Sequence, residues 1–155
     1  MRIAVLSDSH GRIHNCLRAL HLAGPIDHII HLGDNARDTD DIGLVYPETP
    51  ITSVSGNCDF FAGEPTYKMV EIAGKRFFLC HGHSFRVKED LSALALAAQS
   101  ADLVLFGHTH EVFDGVVDNV RLFNPGSIAL PASGAPAFGI VTIENDILST
   151  EHKTL

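Results

Sequence analysis

Short, largely apolar runs recur along this chain, and five of them stop in the same way. Ile3 to Leu6, Ile29 to Leu32, Ile51 to Val54, Phe77 to Cys80 and Asp102 to Phe106 have the length and composition of buried strands. Each gives way within a few residues to Asp, Asn or His beside Gly or Ser. The endings are Ser7-Asp8-Ser9-His10-Gly11, Gly33-Asp34, Gly56-Asn57, His81-Gly82-His83 and Gly107-His108-Thr109-His110. Between the first two runs, Ile13, Cys16, Leu17, Leu20 and Ala23 recur at helical spacing, and Gly24-Pro25 stops the helix. A second helix is predicted over Leu91 to Ala98, rich in Ala and Leu. Thr66 to Ile72 and Lys75 to Cys80 form a predicted hairpin about Ala73-Gly74. From Val112 the pattern is strand after strand: Val112 to Val117, Val120 to Phe123, Ala137 to Ile143 and Ile147 to Thr150. Turns at Asp118-Asn119 and Asn145-Asp146 separate them, and Asn124-Pro125-Gly126-Ser127 reads as a tight loop.

Composition narrows the class. A chain of 155 residues suggests one domain, with 45% hydrophobic and 19% charged residues, a globular balance. The formal net charge of −8 leaves no basic footprint, so general nucleic-acid binding is not expected. Three cysteines with no Cys-x-x-Cys spacing argue against a disulfide framework and for a reducing cytoplasm. Neither a leader-type n- and h-region nor an apolar stretch long enough to span a bilayer is present, so no membrane partner is expected.

Ten histidines are many for this length, and His10, His81, His83, His108 and His110 fall in the five endings. His14 and His21 read as ordinary helix residues. His28 and His31 read as strand histidines hydrogen-bonded to the backbone. The acidic group Asp38, Asp40 and Asp41 reads as a solvated loop and helix start. Taken singly, Asp8 suits a helix cap and Gly56-Asn57 a turn. Taken together, five strand ends bearing oxygen and nitrogen donors describe one site, because ligands collect beyond the carboxyl ends of strands in α/β sheets.

In this order, the five motifs resemble those of the calcineurin-like metallophosphoesterases. Gly56-Asn57-Cys58-Asp59 and Asn124-Pro125-Gly126-Ser127 resemble the small prokaryotic phosphodiesterase branch of that family. The resemblance implies an α/β fold over residues 1–155, with two mixed β-sheets packed as a sandwich and helices outside. It implies two divalent cations, Mn²⁺ before Ni²⁺, Fe, Zn²⁺ or Co²⁺. Asp8, His10 and His110 would hold one, Asn57, His81 and His108 the other, and Asp34 would bridge them. Two cations about 3.5–4 Å apart neutralise phosphate charge and supply a bridging hydroxide that attacks phosphorus.

The sequence departs from that pattern in two places. Cys58 stands where many relatives have a histidine thought to protonate the leaving group, which makes His83 or a metal-bound water the candidate substitute beside Cys58 itself. Pro131-Ala132 lacks the basic residue often found after the proline. Few cations lie near the motifs, only Arg12, Arg37 and Arg86, which favours a small-molecule phosphodiester over a monoester. The alternatives are a phosphomonoesterase and, from another class, a protein-binding scaffold like the retromer subunit that resembles these enzymes. The oligomeric state is open, a homo-oligomer included.

Overall fold

The computed structural model describes residues 1–60 and 63–155. In chain order the elements are β1 (Arg2–Leu6), α1 (Ile13–Ala23), β2 (His28–His31), α2 (Asp38–Val45), β3 (Ile51–Ser53), β4 (Tyr67–Ile72) and β5 (Lys75–Cys80). They continue with α3 (Ser92–Ala97), β6 (Leu103–Phe106), β7 (Val112–Val117), β8 (Val120–Pro125), β9 (Ala137–Glu144) and β10 (Ile147–Thr154). One sheet has the order β10-β9-β1-β2-β3 and the other β4-β5-β6-β8-β7. In the first, β1, β2 and β3 are parallel, β9 runs against β1, and the edge strand β10 runs against β9. In the second, β5, β6 and β8 are parallel, with β4 and β7 antiparallel at the edges. These are the two mixed sheets of the expected sandwich.

The alternation of side chains across each strand explains the layering. Ile3, Val5, Ile30 and Leu32 from one sheet meet Phe77, Leu79, Leu103, Leu105 and Phe123 from the other in the central core. The opposite faces of β1 and β2 offer Ala4, Leu6 and Ile29 to Cys16, Ala19 and Leu20 of α1 and to Ile42 of α2. On the outside of the second sheet, Phe78, Cys80, Val104 and Phe106 pack with Leu94 and Ala95 of α3. Among the described residues, no helix is long and apolar enough to cross a membrane.

Local expectations held at the hairpins. Ala73-Gly74, Asp118-Asn119 and Asn145-Asp146 all have positive φ at both positions, the type I′ geometry whose twist matches paired strands. Several bounds moved. β8 runs on through Asn124 and Pro125, which pair with Phe113 and Val112 of β7, so the tight loop begins only at Gly126. β10 extends to Thr154 because β9 offers it pairing partners as far as Ala137. Glu151, His152 and Lys153 hide that extension from a hydrophobicity pattern. Asp38 is the clearest correction. It opens α2 but is buried, and its Oδ1 accepts from Asn35 Nδ2 at 2.6 Å, whereas Asp40 and Asp41 are exposed. His28 is half-buried and bonds Thr52 Oγ1 at 2.8 Å rather than the backbone.

Candidate metal centre

Five of the seven expected ligands occupy left-handed backbone. Asp8 (φ 54°), His10 (45°), Asp34 (56°), His108 (68°) and His110 (61°) all sit in the loops that leave β1, β2 and β6. Such conformations cost on the order of 1–3 kcal/mol each in a residue with a Cβ, and Asn, Asp and His are over-represented among residues that adopt them. They bend the chain sharply where each of these strands ends. The flanking glycines act sterically. A Cβ on Gly107 would collide with the Ser7 hydroxyl and one on Gly56 with the Asp34 carboxylate, so both backbones approach the centre more closely than any other residue would permit.

Backbone hydrogen bonds then draw the loops together. Asp8 N–H donates to Gly33 C=O at 3.0 Å and Gly107 N–H to His81 C=O at 3.0 Å. Between the sheets, Ile128 N–H donates to Ser7 C=O at 3.1 Å and His108 N–H to Asp8 Oδ2 at 3.2 Å. One ligand atom from each of Asp8, His10, Asp34 and His110 lies within 4.8 Å of all the others. Asn57 Oδ1 lies 3.2 Å from His81 Nε2, and the His81 and His108 rings have centroids 5.0 Å apart. Asp34 faces both groups. Its Oδ2 is 3.6 Å from His10 Nε2, and its Oδ1 is 3.4 Å from His81 Nε2. The structure therefore brings all seven residues together, from both sheets.

The orientation of the rings is informative. His81 Nδ1 lies 2.7 Å from Leu32 C=O and His110 Nδ1 lies 2.6 Å from Leu130 C=O. A carbonyl only accepts, so in both rings the Nδ1 carries hydrogen and, in the neutral form, Nε2 carries a lone pair. Those lone pairs face other acceptors: His110 Nε2 is 3.1 Å from Asp8 Oδ1, and His81 Nε2 is 3.9 Å from the same oxygen. Asp8 Oδ1 is buried and, while both rings are neutral, has no hydrogen-bond donor. Without a cation, protons fill the gap. Burial by itself disfavours charge on His81, but the Asp34 hydrogen bond and the charges of Asp8 and Asp34 raise its pKa. The Asp8 hydrogen bond likewise raises His110. Burial by itself would raise the Asp8 carboxyl, yet His110, His81 and Ser7 hold it below the ordinary value, and Asp34 is depressed for similar reasons. His108 goes the other way, pushed down to about 4 by burial and by the charges of His81 and Lys88. A divalent cation would satisfy the facing acceptors, so the residues present fit the metal.

His83 and Cys58 flank this cluster. The His83 ring lies 5.4 Å from that of His81 and 6.1 Å from that of His108, with its Nδ1 buried and unpartnered. Burial and the charge of His81 lower its pKa. Cys58 is exposed, its thiol 3.4 Å from Asn57 Nδ2, and its N–H donates to Asp34 Oδ1 at 2.9 Å. Burial and the nearby Asp34 raise the thiol's pKa.

Some contributors were not singled out by sequence reasoning. Asp59 accepts from Asn35 N–H and Ala36 N–H through Oδ1 and from Gly56 N–H through Oδ2, each at 2.8 Å, which binds two ligand loops to each other. Ser127 Oγ donates to Asp8 C=O at 3.0 Å. Lys88 is a cation close enough to act on both His108 and His110. The Asp59 signal was its place in the Gly56-Asn57-Cys58-Asp59 quartet, while Lys88 had none.

With this geometry in view, the likeness to known proteins is extensive. The model of the calcineurin-like phosphoesterase superfamily domain matches residues 1–146. A probable metallophosphoesterase of Bacillus subtilis is 34% identical over 151 residues, covering 94% of this chain and 86% of its own. A phosphodiesterase of Methanocaldococcus jannaschii is 28% identical over 163 residues, covering 93% and 94%. Among solved structures, a predicted phosphoesterase of Streptococcus pneumoniae superposes with a TM-score of 0.79 at 27% identity, over 99% of this chain and 88% of the other. The zinc complex of Vps29 from Entamoeba histolytica superposes with a TM-score of 0.76 over 99% of both chains, but at 22% identity that likeness extends to the fold alone.

Proposed function

Because the chain belongs to the calcineurin-like phosphoesterase superfamily, we propose that it is a phosphodiesterase whose centre takes two divalent cations. What carries this reading is the set of acceptors that face one another across the centre, above all the buried Asp8 Oδ1 opposite His110 Nε2 and His81 Nε2. Asp8, His10 and His110 would hold one cation and Asn57, His81 and His108 the other. Asp34, whose two oxygens point to the two groups, would hold both. When bound, the cations neutralise phosphate charge and bring the pKa of a water towards neutrality. The donors are oxygen and nitrogen without thiolate, which suits Mn²⁺ as well as Ni²⁺, Fe, Zn²⁺ or Co²⁺.

The residues of the chain do the rest. Leu32 C=O and Leu130 C=O hold His81 and His110 in the tautomer that presents Nε2 inward. The cationic lining is thin, which supports a diester over a dianionic monoester: among the described residues the Arg86 guanidinium is taken by Glu89 at 2.6 and 3.1 Å, leaving Arg12, Arg37 and Lys88 as the cations near the motif loops. Buried Cys16 and Cys80 with exposed Cys58, all free thiols, fit a reducing cytoplasm. A scaffold role has the Vps29 fold likeness in its favour, but a scaffold has no need of all seven donors.

The test is metal-free protein reconstituted separately with each divalent ion and assayed on paired mono- and diesters. The expected result is metal-dependent turnover of the diester, greatest with Mn²⁺. No turnover with any ion would leave the scaffold, and faster monoester hydrolysis would make the enzyme a monoesterase.

A further inference from the structure

Beneath the centre, His31 is fully buried in β2 and makes two side-chain hydrogen bonds. Gly33 N–H donates to its Nδ1 at 3.2 Å. A backbone N–H can only donate, so Nδ1 keeps its lone pair and the ring proton sits on Nε2. Nε2–H then donates to Ser9 Oγ, 3.0 Å away. Ser9 accepts there and directs its own proton to the Asp34 carbonyl at 3.2 Å. That carbonyl also takes His10 N–H at 3.0 Å. The relay has a single direction, from Gly33 N–H through His31 and Ser9 to Asp34 C=O. It crosses from the loop carrying Asp34 to the loop carrying Asp8 and His10, and Ser9 stands between those last two. Burial keeps the ring neutral against the opposing charges of Asp38, Asp59 and Asp8, and a neutral ring is the form the relay requires.

We propose that Ser9 and His31 are positioning residues of the centre: their relay fixes where Asp34 stands relative to Asp8 and His10, and thereby how tightly the cation on that side is held. The proposal rests on the two-cation reading above. A histidine that merely filled the core would contribute to stability and leave affinity for the metal unchanged. Partners behind metal ligands commonly contribute about 10- to 100-fold in affinity when removed, and a relay that sets the position of Asp34 belongs in that range.

The experiment titrates Mn²⁺ into metal-free wild type, Ser9→Ala, His31→Leu and His31→Gln by calorimetry, with kcat and KM for a diester measured at saturating Mn²⁺. Ser9→Ala and His31→Leu are expected to weaken one of the two binding events about 10- to 100-fold and to lower kcat with little change in KM. His31→Gln, whose amide can donate to Ser9 Oγ, is expected to recover most of that affinity. Folded Ser9→Ala with Mn²⁺ affinity within about twofold of wild type would overturn the relay, and this small truncation decides the matter even if His31→Leu does not fold. His31→Gln as weak as a folded His31→Leu would overturn it too. Absence of Mn²⁺ binding by wild type would instead remove the two-cation reading itself.

Discussion

At the scale of single residues, Asp34 is the most exacting position. Its oxygens face opposite halves of the centre, so neutralising it removes charge from both at once. Asp34→Asn is expected to keep the fold and to lose at least about 100-fold in kcat, a loss in the range of several kcal/mol per missing electrostatic contact. Diester kinetics at saturating Mn²⁺ check it, with far-ultraviolet dichroism for the fold, and activity near wild type would mean that Asp34 bridges nothing. Cys58 and His83 raise a separate question. An alkyl leaving group needs a proton, a nitrophenolate hardly does, and general acid catalysis is typically worth ~100- to 10,000-fold. Exposed Cys58, with its thiol pKa raised, is a poor donor. Cys58→Ser should therefore slow alkyl and nitrophenyl diesters little and equally. His83→Ala should slow the alkyl ester far more than the nitrophenyl ester if His83 is the acid. Equal slowing of both substrates by His83→Ala would reduce it to a supporting residue, and a large alkyl-specific loss in Cys58→Ser would make the thiol the acid.

At the scale of elements, the loops act as a set because side chains between them tie one to the next. Asp59 holds three backbone N–H groups from the β2 and β3 loops. Asp59→Ala leaves those donors without an acceptor, at a cost of about 1–3 kcal/mol, and frees Asp34 and Asn57 to drift apart. The expected outcome is a lowered melting temperature together with weaker Mn²⁺ binding, and a variant that loses stability but binds Mn²⁺ as wild type would confine Asp59 to the scaffold. This tier of contacts was not legible in the sequence. The strands were, because buried runs and type I′ turn pairs are local signals, and α1 agreed to the residue. That the motif donors would meet at one place was, because Asp, Asn and His at strand ends next to Gly are conspicuous. Asp38, Asp59 and Ser9 were not, since whether an acid or a hydroxyl is solvated depends on which loop lands on it; of His31 only its backbone-bonded place in the strand was read. Strand order was hidden for the same reason. Nothing local says that β8, rather than β7, inserts beside β6.

At the scale of the whole molecule, the centre makes the stability of the metal-free protein depend on pH in two opposite ways. His81 and His110 have pKa values raised above the ordinary 6.5 by Asp34 and Asp8. Their contribution is fully present below 6.5 and is lost as pH rises through the raised folded values. His31, His83 and His108 have lowered values, His108 about 4. There the unfolded chain takes up protons that the folded chain does not, so stability falls as pH drops below 6.5, for His108 down to about 4, at roughly 1.4 kcal/mol per pH unit for each proton. The chelated protein should therefore show a dome of melting temperature centred near the ordinary histidine value. Bound cations change one limb. They replace the protons between the facing acceptors, so the alkaline decline should vanish, while the acid limb should steepen because metal release is then coupled to proton uptake. Calorimetric scans from pH 5 to pH 8.5, in chelator and in saturating Mn²⁺, check both limbs. If the chelated protein gained stability between pH 6.5 and 8.5, or if the loaded protein declined there in parallel with it, then the facing acceptors would not be shared between protons and metal, and the lone-pair geometry of His81 and His110 would need another partner.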